Sequence, residues 1–196
     1  MYCLHQSEEH AYDIRGWRYS FVPSLNLEII GPILFEKICN DRGSSSLVCP
    51  MDPKMALYVN VVAVWIGFGG CSLAATIYPQ RFIFAGALNW GMAVVNGLMG
   101  HIVTSIITKS YNPGVLQSLL MVPLGVYVIT KSGRPWLCIL NGILAHVALI
   151  AGVNMVLRLG TNEAFTMTIL MLAASLLLPL VISNHVTSYN TLHKSK

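Results

Sequence analysis

Apolar residues in this chain gather in long runs broken by short polar punctuation, rather than alternating with polar ones. A helix needs roughly 20 mostly apolar residues to cross a hydrocarbon core about 30 Å thick. Five runs approach or exceed that length: 56–78, 82–108, 114–130, 136–157 and 164–183. Lys54, Pro79-Gln80-Arg81, Lys109, Lys131-Ser132-Gly133-Arg134 and Arg158 bound them. The pattern predicts an all-α, multi-pass transmembrane bundle of about five spanning helices over residues 55–184, with a polar tail at 185–196. Pro123 and Pro179 fall inside runs and are expected to kink them.

Residues 1–54 follow another pattern. No stretch there is long enough to span, and residues 1–12 lack the apolar core of a secretory signal, so a first membrane helix is expected to deliver the chain. Residues 25–38 carry Leu27, Ile29, Ile30, Ile33, Leu34 and Phe35 around Pro32, flanked by Glu28 and Glu36. That suits an interfacial or re-entrant piece. Residues 40–53, rich in serine and proline, read as a loop.

Composition strengthens the membrane reading. The chain has 196 residues, 55% hydrophobic and only 10% charged, whereas a soluble domain carries about 25% charged residues to face water. The net charge of +4 is small and scattered, which argues against a nucleic-acid partner. The five cysteines show no CxxC spacing. Cys71 and Cys138 lie in apolar runs and act as small hydrophobes, while Cys39 and Cys49 could pair only in an oxidising lumen. The basic ending, Lys194-Ser195-Lys196, hints at endomembrane retrieval. The expected partners are the lipid bilayer and a hydrophobic small molecule.

The candidate chemistry sits in two places. His5-Gln6-Ser7-Glu8-Glu9-His10 is the densest ionisable cluster, and on a helix Glu8 and Glu9 both lie over His5. One imidazole with two carboxylates suits zinc or iron, or a metal-free acid–base pair. The same pattern also reads as a solvated, charged helix end. His101 and His146 lie within apolar runs, where an ionisable group is costly and needs partners. Asn89, Asn96, Asn141 and Asn154 are the natural interior partners. With 3.6 residues per turn, Asn96 and His101 stand about 140° apart and are not expected to bond.

An N-G-x-x-x-H pattern at Asn96–His101 recurs at Asn141–His146, as either a duplicated helix pair or a chance echo. Tyr111-Asn112-Pro113-Gly114 predicts a tight turn joining the second and third runs as an antiparallel hairpin. Tyr111 either reaches into a site there or anchors at the interface.

H-x-x-E-E at residues 5–9, a histidine in an Asn-Gly-rich span at His101, and Y-x-P-G at residues 111–114 resemble, in order and spacing, the HxxEE domain family. These are small multi-pass membrane proteins without an assigned function, and the resemblance covers roughly residues 4–130. It implies a polar centre built from His5, Glu8, Glu9 and His101, with the Tyr111 turn nearby. Family members usually lead into the motif with a hydrophobic span. Here only Met1-Tyr2-Cys3-Leu4 precede it, so either that helix is lost or the sequence starts late. Without it, nothing obvious would hold His5 near His101.

The expected function is that of a membrane enzyme acting on a lipophilic substrate such as a lipid or isoprenoid. Its catalytic residues would be His5, Glu8, Glu9, His101 and Tyr111. A bound zinc or iron would be held by His5, Glu8, Glu9, His101 and His146. The alternatives are a proton-coupled transporter and a non-catalytic membrane subunit whose polar residues hold helices together.

Overall fold

The computed structural model describes residues 2–17, 66–159 and 162–194. The expected interfacial piece at 25–38, the loop at 40–53 and the Cys39–Cys49 pair lie outside them, as do residues 56–65 of the first apolar run and the terminal Ser195-Lys196. The described residues form helices and turns, in the order α1 (Tyr2–His10), α2 (Gly70–Ile77), α3 (Pro79–Val95), a π-helical segment (Asn96–Val103), α4 (Thr104–Thr108), α5 (Val115–Lys131), α6 (Pro135–Leu159) and α7 (Asn162–Lys194).

Among the described residues, three helical stretches are long and apolar enough to cross a membrane: Pro79–Thr108, Pro135–Gly152 and Thr166–Thr187. Ile66–Ile77 and Val115–Lys131 are shorter apolar helices. The protein is therefore an integral membrane protein with about five apolar helices. Its surface agrees with a lipid solvent. Ile83, Ile106, Ile107, Leu120 and Val181 are exposed, while His5, Glu8, Glu9, Asn89, His101, Asn112 and Asn141 are buried. Water would impose the opposite arrangement. Helix α7 runs on through the polar residues beyond 184 as far as Lys194.

The described residues fall into two compact units, one joining the amino-terminal region to residues 96–123, the other holding residues up to 95 and from 124 onward. In the second unit, α3 packs against α2, α6 and α7 around Phe84, Ala87, Leu88, Ile129 and Cys138. Small residues let these helices approach. A Cβ added at Gly142 would lie 2.6 Å from the Gly91 carbonyl oxygen, the close backbone contact that small residues permit between membrane helices. Polar side chains then link the helices. Asn141 Nδ2 donates to the Leu88 carbonyl (3.2 Å), Asn89 Nδ2 to the Gly67 carbonyl (3.3 Å), and Thr168 Oγ1 to the Gly152 carbonyl (3.1 Å).

In the first unit, the 111–114 turn forms as predicted. Val115 N–H donates to the Asn112 carbonyl at 3.1 Å, with Gly114 at φ +94°. Pro at the second position and a left-handed Gly at the third are the signature of a type II turn.

Candidate functional site

Helix α1 carries the H-x-x-E-E motif, and its periodicity stacks Glu9 over His5 as expected, with Oε1 3.3 Å from His5 Nε2. This face is not solvated. His5 is 0% exposed, Glu8 4% and Glu9 2%, which rules out a solvated helix end. Helix α1 itself packs His5 beside His101. The two imidazoles meet edge to face with centroids 4.6 Å apart, and His101 Nε2 lies 3.2 Å from the same Glu9 Oε1.

The π-helical turn overturns one expectation. Closing i→i+5 hydrogen-bonded rings instead of i→i+4 places residues five apart over one another. Asn96 Nδ2 therefore comes within 3.4 Å of His101 Nε2, where a regular helix would separate them. The local sequence allows it. A Cβ at Gly100 would sit 3.1 Å from Asn96 Oδ1, and one at Gly97 would sit 2.9 Å from Val122 Cγ2. Glycine at these two positions makes room for the amide and for α5. The echo at Asn141–His146 has Ala145 where this motif has Gly100, and it lies in regular helix α6. There Asn141 and Gly142 serve helix packing, and His146 Nδ1 bonds the Gly142 carbonyl of its own helix at 2.7 Å. The ligand cluster among the described residues comprises His5, Glu9 and His101.

The 111–114 turn closes the site. Asn112 Oδ1 lies 2.7 Å from His101 Nδ1, so Nδ1 carries the hydrogen and, in the neutral ring, Nε2 presents its lone pair. The Tyr111 hydroxyl donates to Glu8 Oε1, and the Gly114 backbone lies beside the same carboxyl group, where it favours the ionised form. Gly114 presses against both imidazoles. A Cβ there would lie 2.6 Å from His5 Cε1 and 2.7 Å from His101 Cε1. A further contact stacks the Arg15 guanidinium over the Trp17 ring at 4.4 Å and over Tyr111 at 5.0 Å, while its Nη2 pairs with buried Asp13 at 2.7 Å.

The two adjacent carboxyl groups are driven in opposite directions. Burial pushes Glu8 above the usual carboxylate range, against the lowering effect of the Gly114 amide and the histidines. Burial would raise Glu9 too, but hydrogen bonds and charge from His101 and His5 outweigh it and hold Glu9 at about 2. His10, whose Nε2 is 3.6 Å from Glu9 Oε2, is lowered by burial in spite of the carboxylate beside it.

His5, Glu8, Glu9, His101 and Tyr111 are thus all gathered in the first unit. Asn112, Gly114, His10 and Arg15 join them, although the sequence marked Gly114 only as a turn glycine and His10 only as part of the ionisable cluster, and gave Asn112 and Arg15 no role. The signal for Asn112 was its place in the Tyr-Asn-Pro-Gly turn, and for His10 its adjacency to Glu9. Such features define a helical integral membrane protein with a buried histidine–carboxylate centre. Residues 1–128 match the family described as "Protein of unknown function with HXXEE motif", and the chain belongs to that family. No curated protein and no solved structure matches it.

Proposed function

We propose that the protein is a membrane enzyme that acts on a lipophilic substrate through a single-cation centre formed by His5, Glu9 and His101. The observation that carries this reading is the convergence of two imidazole Nε2 atoms on one buried oxygen, Glu9 Oε1, at 3.3 and 3.2 Å. The Nε2 lone pair of neutral His101 cannot bond a carboxylate oxygen, so a cation must lie between them, either a proton or a metal ion. The spacing suits a metal. A tetrahedral ion with bonds of about 2.0–2.2 Å sets its ligands about 3.3–3.6 Å apart.

Two histidines and one glutamate fit zinc or iron, with further coordination positions left for substrate or water. Asn112 supplies the outer partner that metal-bound histidines usually have, fixing the tautomer through Nδ1. A bound ion would polarise an oxygen of the substrate or activate a water. The bilayer around the bundle makes lipophilic molecules the natural substrates, and an endomembrane location belongs to the same proposal.

A metal-free version is favoured by one separate observation, the opposed shifts of Glu8 and Glu9. Carboxyl groups pushed apart in this way divide into acid and base. Glu8, hydrogen-bonded by Tyr111, is the proton donor, and ionised Glu9 steadies a protonated histidine.

Elemental analysis of the purified protein separates the two versions. The expected result is about one zinc or iron per chain, lost in Glu9→Gln while the variant still inserts and melts cooperatively. Metal-free protein with a cooperative melt would refute the metal centre and leave the acid–base version. If Glu9→Gln and His101→Ala both fail to accumulate, the cluster is structural, as in a scaffold subunit.

A further inference from the structure

Beside the triad, two buried polar atoms of opposite hydrogen-bonding sense are left without partners. Glu8 spends Oε1 on the Tyr111 hydroxyl, and its Oε2 has no partner. Asn112 spends Oδ1 on His101 Nδ1, and its Nδ2 amine has none, although the residue is 0% exposed. Glu8 reaches the 111–114 turn from α1, and Asn112 lies within that turn. Tyr111, which bonds the Glu8 carboxyl, and Gly114, whose backbone lies beside it, flank Asn112 and Pro113 in the chain. Buried polar atoms are rarely left dry in a finished structure, and each exception calls for a water, an ion or a ligand.

The group that completes this pair must accept from an amide N–H and also meet a carboxyl oxygen. A hydroxyl satisfies both whatever the state of the Glu8 carboxyl, because it donates and accepts. A phosphate or carboxylate head group accepts only and would be set beside the Glu8 and Glu9 carboxyls. An ammonium group donates only and leaves the Asn112 amine unmet. An alkane meets neither atom. We infer that Glu8 and Asn112 form a subsite for the single neutral hydroxyl of a lipophilic alcohol, long-chain or isoprenoid, that enters from the bilayer. The inference deepens the proposed function and rests on it, since Glu8 adjoins Glu9 in α1 and Asn112 bonds His101.

The test uses the purified full chain in phosphatidylcholine nanodiscs and three matched photoreactive probes. Each carries a diazirine near one end of a hexadecyl chain, ending in a hydroxyl, a phosphate or a plain methyl. Labelled peptides are located by mass spectrometry, and metal content is measured on the same sample. The alcohol probe should label peptides from residues 4–17 or 96–117, with loss of label when excess hexadecanol competes. The other two probes should not label these peptides. Asn112→Asp keeps an acceptor opposite His101 Nδ1 but removes the amine, so labelling should fall about tenfold. Should that variant fail to accumulate, Glu8→Leu should show the same loss and Glu8→Gln, which still hydrogen-bonds a hydroxyl, should retain labelling.

Equal labelling by the alcohol and methyl probes would mean that water fills the two positions. It would overturn the subsite even if a metal is found. Alcohol-specific labelling of metal-free protein would uphold the subsite and overturn only the metal centre.

Discussion

A Cβ added at Gly114 would stand 2.6 Å from His5 Cε1, and 2.7 and 2.8 Å from His101 Cε1 and Nδ1. These are ring atoms in a packed site, held by Glu9 and Asn112, so none of them is the free end of a flexible chain. Gly114 also has φ +94°, where an L side chain costs about 1–2 kcal/mol. Forcing a methyl group into packed surroundings adds about 1–3 kcal/mol, so Gly114→Ala should cost about 2–5 kcal/mol. Gly133 provides the control. Its φ is +72°, but nothing lies within 4 Å of an added Cβ, so Gly133→Ala bears only the backbone cost. One kcal/mol moves the melting temperature of a chain this size by about 2–4 °C. In detergent micelles, Gly114→Ala should therefore melt on the order of 2–12 °C below Gly133→Ala and, on the metal-centre proposal, lose the ion, because both imidazole rings must shift. Equal melting with the ion retained would show that Gly114 is not wedged between the imidazoles.

Three further results are expected. Glu9 is held at about 2 against an ordinary 4.5, so its ionised form favours the folded state. The resulting stability, about 3 kcal/mol, is fully present above pH 4.5 and is lost as the pH falls through about 2. Acid unfolding of wild type and Glu9→Gln compares the two, and parallel curves over that window would contradict it. Tyr111→Phe removes the hydroxyl that bonds Glu8 but keeps the ring beneath Arg15, and should cost about 1 kcal/mol. Tyr111→Leu should cost about 0.5–1 kcal/mol more, a ranking readable from melts. Gly142→Ala drives a methyl group towards the Gly91 carbonyl oxygen, 2.6 Å away. It should destabilise the α3–α6 pair by about 1–3 kcal/mol and leave ion content unchanged.

The membrane class and the positions of the apolar helices were legible in the sequence because lipid imposes them locally. A run with no charge for some 20 residues has few stable alternatives to a helix in hydrocarbon. The 82–108 run corresponds to helix Pro79–Thr108, and the 136–157 run lies within Pro135–Leu159. The Pro113-Gly114 turn was legible for a similar reason, as proline presets one dihedral and glycine admits the next. The pairing of His5 with Glu9 followed from helical spacing alone. The Asn96–His101 contact was not legible because it depends on a π turn, and nothing in a 3.6-residue period announces one. The roles of Asn112 and His10 were not legible because a lone amide or imidazole acquires a role only from what it faces.

Taken alone, the residue order determined that this is a greasy helical protein with two histidines placed where hydrocarbon makes them expensive, and an imidazole–dicarboxylate helix at its start. The tertiary structure decided that the amino-terminal helix closes on His101. It also decided that His146 turns to its own backbone, and that Glu8 and Glu9, adjacent in the chain, acquire opposite proton affinities. Side-chain period and hydropathy depend on neighbours along the chain. Burial, hydrogen-bond partners and the meeting of residues some 90 positions apart depend on neighbours in space, which only packing supplies.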